Sequence, residues 1–211
     1  PLLSQSLRPS VGGQAPLPRF TQLLAALGAT VPERLFDAWI DHATCATDRS
    51  GGRLLIFPGA SELNKRWPWP RFAELIARLP SDLRVTVVGG PAEASGWPEL
   101  VASGVENVLC RETQTLWRLL QEADWVLSND AAPAHFAAAL GIRSLTIFGA
   151  QNPDVWHPYN PELHPVVIAG APCRPCGLRY CPLRGAEALQ CLTALGVDQV
   201  QQALGALIGW K

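Results

Sequence analysis

Short runs of apolar residues alternate with longer amphipathic segments from residue 53 to the end of this chain. Runs of this length are typical of buried strands, and the segments between them have the spacing of helices. Alternation of this kind favours a parallel sheet, because each helix returns the chain to the start of the next strand. The sequence therefore predicts an α/β fold with a parallel sheet covered by helices on both faces. The predicted strands are 54–57, 85–88, 105–109, 125–127 and 145–148, and the predicted helices are 71–79, 115–123, 134–140 and 197–208.

Composition narrows the class of partner. The chain has 211 residues, 48% of them hydrophobic, and a formal net charge of -1. So small a charge gives no broad attraction for nucleic acid, so we expect no nucleic-acid partner and only a local anion site. No apolar run approaches the roughly 20 residues that cross a bilayer, and the start of the chain lacks the pattern of a signal peptide. We therefore expect no transmembrane segment and a cytoplasmic location.

The first 52 residues differ from the rest. Residues 9–18 are rich in Pro, Gly and Ser and predict a linker, and residues 20–27 followed by Gly28 predict a short helix. The sequence also contains no methionine. We interpret residues 1–52 as a linker and the remnant of a preceding region, and residues 53–211 as the folded domain of a fragment.

Unusual residues follow three of the predicted strands, whose ends should lie at one edge of the sheet. In the first loop, Gly59 permits close backbone approach, Ser61 supplies a hydroxyl and Lys65 supplies a cation for phosphate. The alternative for this lysine is a solvated surface charge. In the second loop, Glu93 follows a Gly-Gly turn, where it suits a ribose hydroxyl or, alternatively, the positive end of a helix dipole.

The third loop places Asp130 and His135 where a strand becomes a helix. Free backbone amides at such a helix start accept anions, and both side chains would face the ligand. Taken alone, Asp130 has an alternative reading as a helix cap, and His135 as a buried histidine bonded to the backbone. The two residues together, beside two further unusual loops, favour a nucleotide phosphate site.

Four cysteines lie within a short segment rich in Pro and Gly, residues 173–191. Four thiolates at this spacing favour a tetrahedral zinc or iron site, and a Cys-x2-Cys pair is a common start for one. The alternatives are a disulfide pair or unliganded thiols, and the cytoplasm disfavours the first. The predicted metal ligands are Cys173, Cys176, Cys181 and Cys191.

Taken in order, these loops resemble glycosyltransferase family 9, the lipopolysaccharide heptosyltransferases. Members of that family are similar to other GT-B enzymes, in which two Rossmann-like domains face one another. The resemblance implies that this chain is the second, Rossmann-like half, which binds the nucleotide sugar, and that the first half supplies the acceptor site and a catalytic base. Some relatives that modify autotransporter proteins carry an iron-bound cysteine finger, which residues 173–191 resemble. The matching segments are Pro58-Gly59-Ala60-Ser61, Lys65-Arg66-Trp67-Pro68, Gly89-Gly90-Pro91-Ala92-Glu93, Asn129-Asp130 with Pro133, His135 and Ala137-Ala138-Ala139, Phe148-Gly149 and Trp156-His157-Pro158-Tyr159.

The resemblance also implies roles for individual residues. Lys65 and Ser61 would hold the diphosphate and Glu93 the ribose, while Gln114 would line the adenine pocket. Asp130 and His135 would face the sugar and phosphate side of the donor. Lys65 and Asp130 are the implied catalytic residues. The full set implied for donor binding is Ser61, Lys65, Glu93, Gln114, Asp130, Ala131, Ala132 and His135.

The leading hypothesis is therefore a heptosyltransferase-like donor domain, with ADP-heptose as donor and a lipopolysaccharide core or a protein as acceptor. We expect the missing half to come from a separate chain and the enzyme to work at the periphery of the inner membrane. The alternative is a non-catalytic scaffold that keeps the fold and the cysteine finger. That alternative depends on Ala131 and Ala132, which replace the Ser/Thr-Gly of the family and remove a hydroxyl donor.

Overall fold

The computed structural model describes residues 52–96, 105–158 and 160–210. These residues form six strands, a set of helices and several short 3-10 turns. The strands are β1 (Arg53–Phe57), β2 (Arg84–Gly89), β3 (Glu106–Leu109), β4 (Trp125–Asn129), β5 (Arg143–Phe148) and β6 (Val166–Ile168). The helices are α1 (Trp69–Ala77), α2 (Thr113–Gln121), α3 (Ala132–Ala139), α4 (Pro153–Trp156), α5 (Gln190–Thr193) and α6 (Val197–Ile208).

The strands form one sheet in the order β3-β2-β1-β4-β5-β6, and every neighbouring pair is parallel. The chain reverses its direction of travel across the sheet between β1 and β4, whose register pairs Ile56 with Leu127. At such a reversal the loops after the two strands diverge to opposite faces and leave a crevice at the carboxyl edge. The topology thus fixes where a ligand site can lie.

Helices cover both faces of the sheet, because alternate residues of each strand point to opposite sides. Leu54 and Ile56 of β1 belong to a core shared with α1 and α6. Leu55 and Phe57 of the same strand belong to a second core, to which α2 contributes Leu120 and α3 contributes Ala137. This confirms the predicted α/β class, a Rossmann-like parallel sheet with helices on both faces.

The ends of the elements follow local residue chemistry. Pro70 lies in the first turn of α1, where its missing amide hydrogen costs nothing. Helix α6 ends at Gly209, which adopts the left-handed conformation with φ 78°. The predicted helix 197–208 has the observed bounds, and the other predicted elements differ from the observed ones by a few residues at most.

The three-residue strand β6 was not predicted. The predicted helix 20–27 and the linker up to residue 51 lie outside the described residues. None of the helices in the described part of the chain is long and apolar enough to cross a membrane.

Candidate functional site

A cleft of about 590 Å³ opens at the carboxyl edge of the sheet. It lies where β1, β2 and β4 end, at the reversal point between β1 and β4. The structure therefore brings the three unusual loops of the sequence to one place. The lining residues include Gly59, Ser61 and Lys65 after β1, Gly90 and Glu93 after β2, Asp130, Ala131, Ala132 and His135 around the start of α3, and Trp156 at the end of α4.

The loop after β1 is fastened to β4 by Asn129. This buried side chain accepts a hydrogen bond from the backbone amide of Trp67 at 3.1 Å and donates one to the carbonyl of Pro58 at 2.7 Å. Pro58 and Trp67 stand at the two ends of the segment that carries Ser61 and Lys65. One amide side chain thus fixes both ends of that segment, a role that the sequence alone does not indicate.

Trp67 anchors the same loop from the other side. Its ring is fully buried, packs edge-to-face on Phe72 at 4.8 Å between centroids, and donates from Nε1 to the carbonyl of Leu195 at 3.0 Å. Within the loop, Arg66 Nε donates to the carbonyl of Ala60 at 2.6 Å. These contacts hold the loop in one shape before any ligand arrives.

Lys65 and Asp130 form an ion pair across the floor of the cleft, with 3.0 Å between Nζ and Oδ2. The carboxylate is nearly buried at 5% side-chain exposure, whereas the lysine keeps 19%. Among the described residues, Oδ2 makes no hydrogen bond of good geometry, so the ammonium is what compensates this buried charge. Lysine carries three donor hydrogens, which leaves some free for a ligand.

Glu93 lies in the loop that follows β2 and packs against the loop that follows β1. Its Oε2 accepts from the backbone amide of Gly90 at 2.8 Å, and it lies in the first turn of a short 3-10 helix, which matches its alternative reading as an acid at a helix start. A Cβ atom on Gly59 would lie 2.6 Å from Cγ of Glu93. Glycine at position 59 is therefore what lets this carboxylate reach the cleft.

The amino end of α3 lacks a side-chain cap. Ala131 is the N-cap residue with extended backbone, and Pro133 lies in the first turn. Ala131 and Ala132 both line the cleft, so uncapped amides at the start of α3 border it. Asp130, which had an alternative reading as the cap, is committed to Lys65 instead.

His135 lines the cleft one turn into α3 and is exposed to water along its outer edge. The protein atoms on the cleft side partly desolvate the ring, and this lowers the pKa of His135 below its ordinary value. The charge of Asp130 opposes the shift, while Lys65 and His157 add to it. The ring is therefore neutral at pH 7, and it is not the backbone-bonded buried histidine of the alternative reading.

One residue of the predicted set lies elsewhere. Gln114 is exposed in the first turn of α2 and is not among the residues that line the cleft. Two residues that line or support the cleft, Asn129 and Trp156, had no role assigned from the sequence, although both stand in segments that match the family. The sequence shows Asn129 only as an amide side chain at the end of a strand. An asparagine that caps the following helix would look the same.

The four clustered cysteines line one small cavity of about 90 Å³ next to the loop after β5. All four are free thiols; Cys173 and Cys176 are exposed and Cys191 is buried. Burial, reinforced by the three neighbouring thiols, raises the pKa of Cys191 to about 11, and the backbone amide of Leu189 donates to Cys181 Sγ at 3.4 Å. Within the described ranges, no three His, Cys, Asp or Glu side chains are arranged to hold a metal ion, so the cluster is not a preformed metal centre.

A parallel sheet with this strand order and a cleft at its reversal point is typical of the Rossmann-like class of domains. The sequence matches the profile of glycosyltransferase family 9 (heptosyltransferase) over residues 17–186. The chain belongs to that family, as the resemblance of its motifs implied.

Known relatives agree with this assignment. The chain is 29% identical over 197 residues to lipopolysaccharide heptosyltransferase 1 of Pseudomonas aeruginosa, which covers 89% of this chain and 55% of the relative. It thus spans about half the length of that relative.

Solved structures of similar fold include E. coli heptosyltransferase WaaC with ADP, at a TM-score of 0.65 and 20% identity, covering 93% of this chain and 57% of WaaC. The fold is also similar to the dodecameric iron-containing heptosyltransferase TibC, solved in complex with ADP-D-beta-D-heptose. That match has a TM-score of 0.57 and 17% identity, and covers 74% of this chain and 45% of TibC. TibC is from enterotoxigenic E. coli. At these identities the likeness is one of fold.

Proposed function

We propose that residues 53–211 are the donor half of a heptosyltransferase and bind ADP-heptose in the cleft at the reversal point of the sheet. The observation that supports this most is that Ser61, Lys65, Glu93 and Asp130 line one cleft with the uncapped start of α3. A cation, free amides and a carboxylate in one crevice match the diphosphate and ribose of a nucleotide sugar. WaaC with ADP and TibC with ADP-heptose have the same fold.

The proposed chemistry is inverting transfer. The oxygen of an acceptor hydroxyl forms a bond to the anomeric carbon, the bond from that carbon to the diphosphate oxygen breaks, and its electron pair leaves with ADP. The proton of the hydroxyl passes to a base, which we place in the other half of the enzyme. Lys65 and the amides before α3 stabilise the charge that develops on the leaving diphosphate.

Asp130 acts in this scheme through Lys65. Its buried carboxylate fixes the ammonium at the floor of the cleft, where it is ready before the donor binds. Such preorganisation is what makes a charged group effective at a developing anion. Neutral His135 is placed to exchange hydrogen bonds with the phosphate or sugar oxygens.

Calorimetric titration with ADP tests the donor site. The parent chain should bind, and Lys65→Met should weaken binding by about tenfold or more, since charge-assisted bonds of this kind are worth roughly 1.5–3 kcal/mol. Lys65→Met leaves Asp130 unpaired, so the double variant Lys65→Met/Asp130→Asn removes both charges and keeps the comparison interpretable. Arg118→Met, a cation removed from α2 away from the cleft lining, is the matched control and should bind as the parent does. Absence of ADP binding by the folded parent at millimolar concentration would sink the proposal.

The remaining parts of the function concern the partners. We place the acceptor, a lipopolysaccharide core or a protein, and the catalytic base in the half that the longer relatives have beyond this chain, whether joined to it or supplied as a separate chain. Such an enzyme would work in the cytoplasm, at the periphery of the inner membrane. Co-purification of this domain with an amino-terminal half, together with transfer activity of the pair but of neither part, would support the arrangement.

We also propose that Cys173, Cys176, Cys181 and Cys191 bind zinc or iron. The support is that all four line one cavity, and that thiolates are the ligands both metals favour. Because the thiols do not stand at ligating positions here, binding requires the loop to close around the ion. Elemental analysis of protein purified without chelator should find close to one equivalent, which Cys176→Ser should lower and Cys110→Ser, outside the cluster, should not. Less than about half an equivalent argues against the site.

A further inference from the structure

Trp156 is a large aromatic side chain that the cores of the domain do not use. It is 45% exposed and lines the same cleft as Asp130 and His135. Exposed tryptophans carry much apolar surface into water, and at the rim of a polar cleft they commonly contribute to binding.

Local hydrogen bonds fix the backbone that carries Trp156. The Asn152 side chain accepts from the amide of Asp154 at 3.0 Å, and Pro153 opens the short helix α4. The amide of Trp156 donates to the carbonyl of Asn152 at 3.1 Å, and the amide of His157 to that of Pro153 at 2.7 Å. A capped turn with a proline loses little further freedom when a ligand arrives, as a preformed contact requires.

The order of strands sets the order of groups along the cleft. Glu93 follows β2, Lys65 follows β1, Asp130 follows β4 and Trp156 lies after β5, and these four strands are consecutive in the sheet. At roughly 4.8 Å between neighbours, the three intervals span about 14 Å. With the ribose at Glu93 and the diphosphate between Lys65 and α3, the sugar, which lies on the far side of the diphosphate from the ribose, falls at the end that holds Trp156.

We propose that Trp156 is a specificity-determining residue whose ring packs against the sugar of the donor. The inference rests on the proposed donor site and adds to it the residue that contacts the transferred sugar. Sugars present an apolar face of C–H groups, which an aromatic ring covers while their hydroxyls keep other partners. Trp156 then contributes to the binding of ADP-heptose but not of ADP.

The test compares two ligands on four proteins: the parent, Trp156→Ala, Trp156→Phe and the control Trp117→Ala, whose ring on α2 is 46% exposed and outside the cleft lining. Calorimetric titrations with ADP and with ADP-heptose give the two affinities. Trp156→Ala should weaken the binding of ADP-heptose about tenfold, which corresponds to about 1.4 kcal/mol. It should leave the affinity for ADP within about twofold of that of the parent, because ADP has no sugar to contact the ring. Trp156→Phe should recover most of the loss, and Trp117→Ala should match the parent.

Other outcomes separate the two levels of the argument. If Trp156→Ala weakens both ligands equally or neither, or if the parent binds ADP but not ADP-heptose, the role of Trp156 is refuted while the nucleotide site stands. If the folded parent binds neither ligand, the proposed donor site fails and the inference falls with it.

Discussion

Replacing Asn129 with alanine should change the shape of the cleft and leave its charged residues in the sequence. Asn129→Ala deletes two buried hydrogen bonds and leaves the carbonyl of Pro58 and the amide of Trp67 without these partners. Each unsatisfied buried group costs about 1–3 kcal/mol, so the free energy of unfolding should fall by about 3 kcal/mol. This is a large fraction of the stability of a domain of this size.

Urea unfolding followed by circular dichroism measures that change. Asn107→Ala is the matched control, because its amide donates one partly buried bond, at 2.8 Å, to the carbonyl of Val105 at the edge of the sheet. The control should lose no more than about 1 kcal/mol. At a temperature where both variants are folded, Asn129→Ala should also bind ADP less tightly than the control does. A loss below about 1 kcal/mol for Asn129→Ala, with unchanged ADP affinity, would refute the idea that this residue fixes the loop.

Three further outcomes follow from single positions. Burial lowers the pKa of His164, which is hydrogen-bonded to Ser144, from 6.5 to about 4, so the unfolded chain binds the proton first and stability falls as the pH drops through this window. Between pH 7.5 and 5, urea unfolding should show that the free energy of unfolding falls by about 2 kcal/mol in the parent and that His164→Gln abolishes this fall. An equal fall in the variant contradicts the assignment. Gly149→Ala places a Cβ 2.2 Å from the carbonyl oxygen of Asn64, so it should lower the melting temperature sharply or prevent folding, whereas an unchanged melting temperature argues against this packing. Ala131→Ser supplies the missing cap of α3 and should stabilise the domain by about 1 kcal/mol, read as a rise in melting temperature; no rise would mean that the hydroxyl does not reach the helix amides.

The sequence was a good guide wherever one physical signal dominated. Strand β1 was predictable because its last four residues form an uninterrupted apolar run, which has few other uses in a chain of this kind. Helix α6 was predictable to the residue, because its apolar spacing is regular and Gly209 stops it. Strand β6 was missed because three residues are too few to show a period.

The cleft was harder to predict, because its parts are brought together by topology. Which of the loops lie next to one another depends on the order of the strands in the sheet. The motifs indicated only that the loops share the carboxyl edge. The ion pair of Lys65 with Asp130 joins residues 65 positions apart, and no local pattern distinguishes it from a solvated lysine and a helix cap. The roles of Asn129 and Trp156 were missed for the same reason, because each role depends on what the side chain contacts.

The most direct test of the donor-site account is a crystal structure of this domain with ADP. If this domain binds the donor as proposed, the diphosphate lies at the reversal point between β1 and β4, with phosphate oxygens within about 3 Å of Lys65 Nζ and of the backbone amides at the start of α3. Nucleotide bound elsewhere, or a diphosphate that leaves Lys65 and those amides without contact, would contradict it.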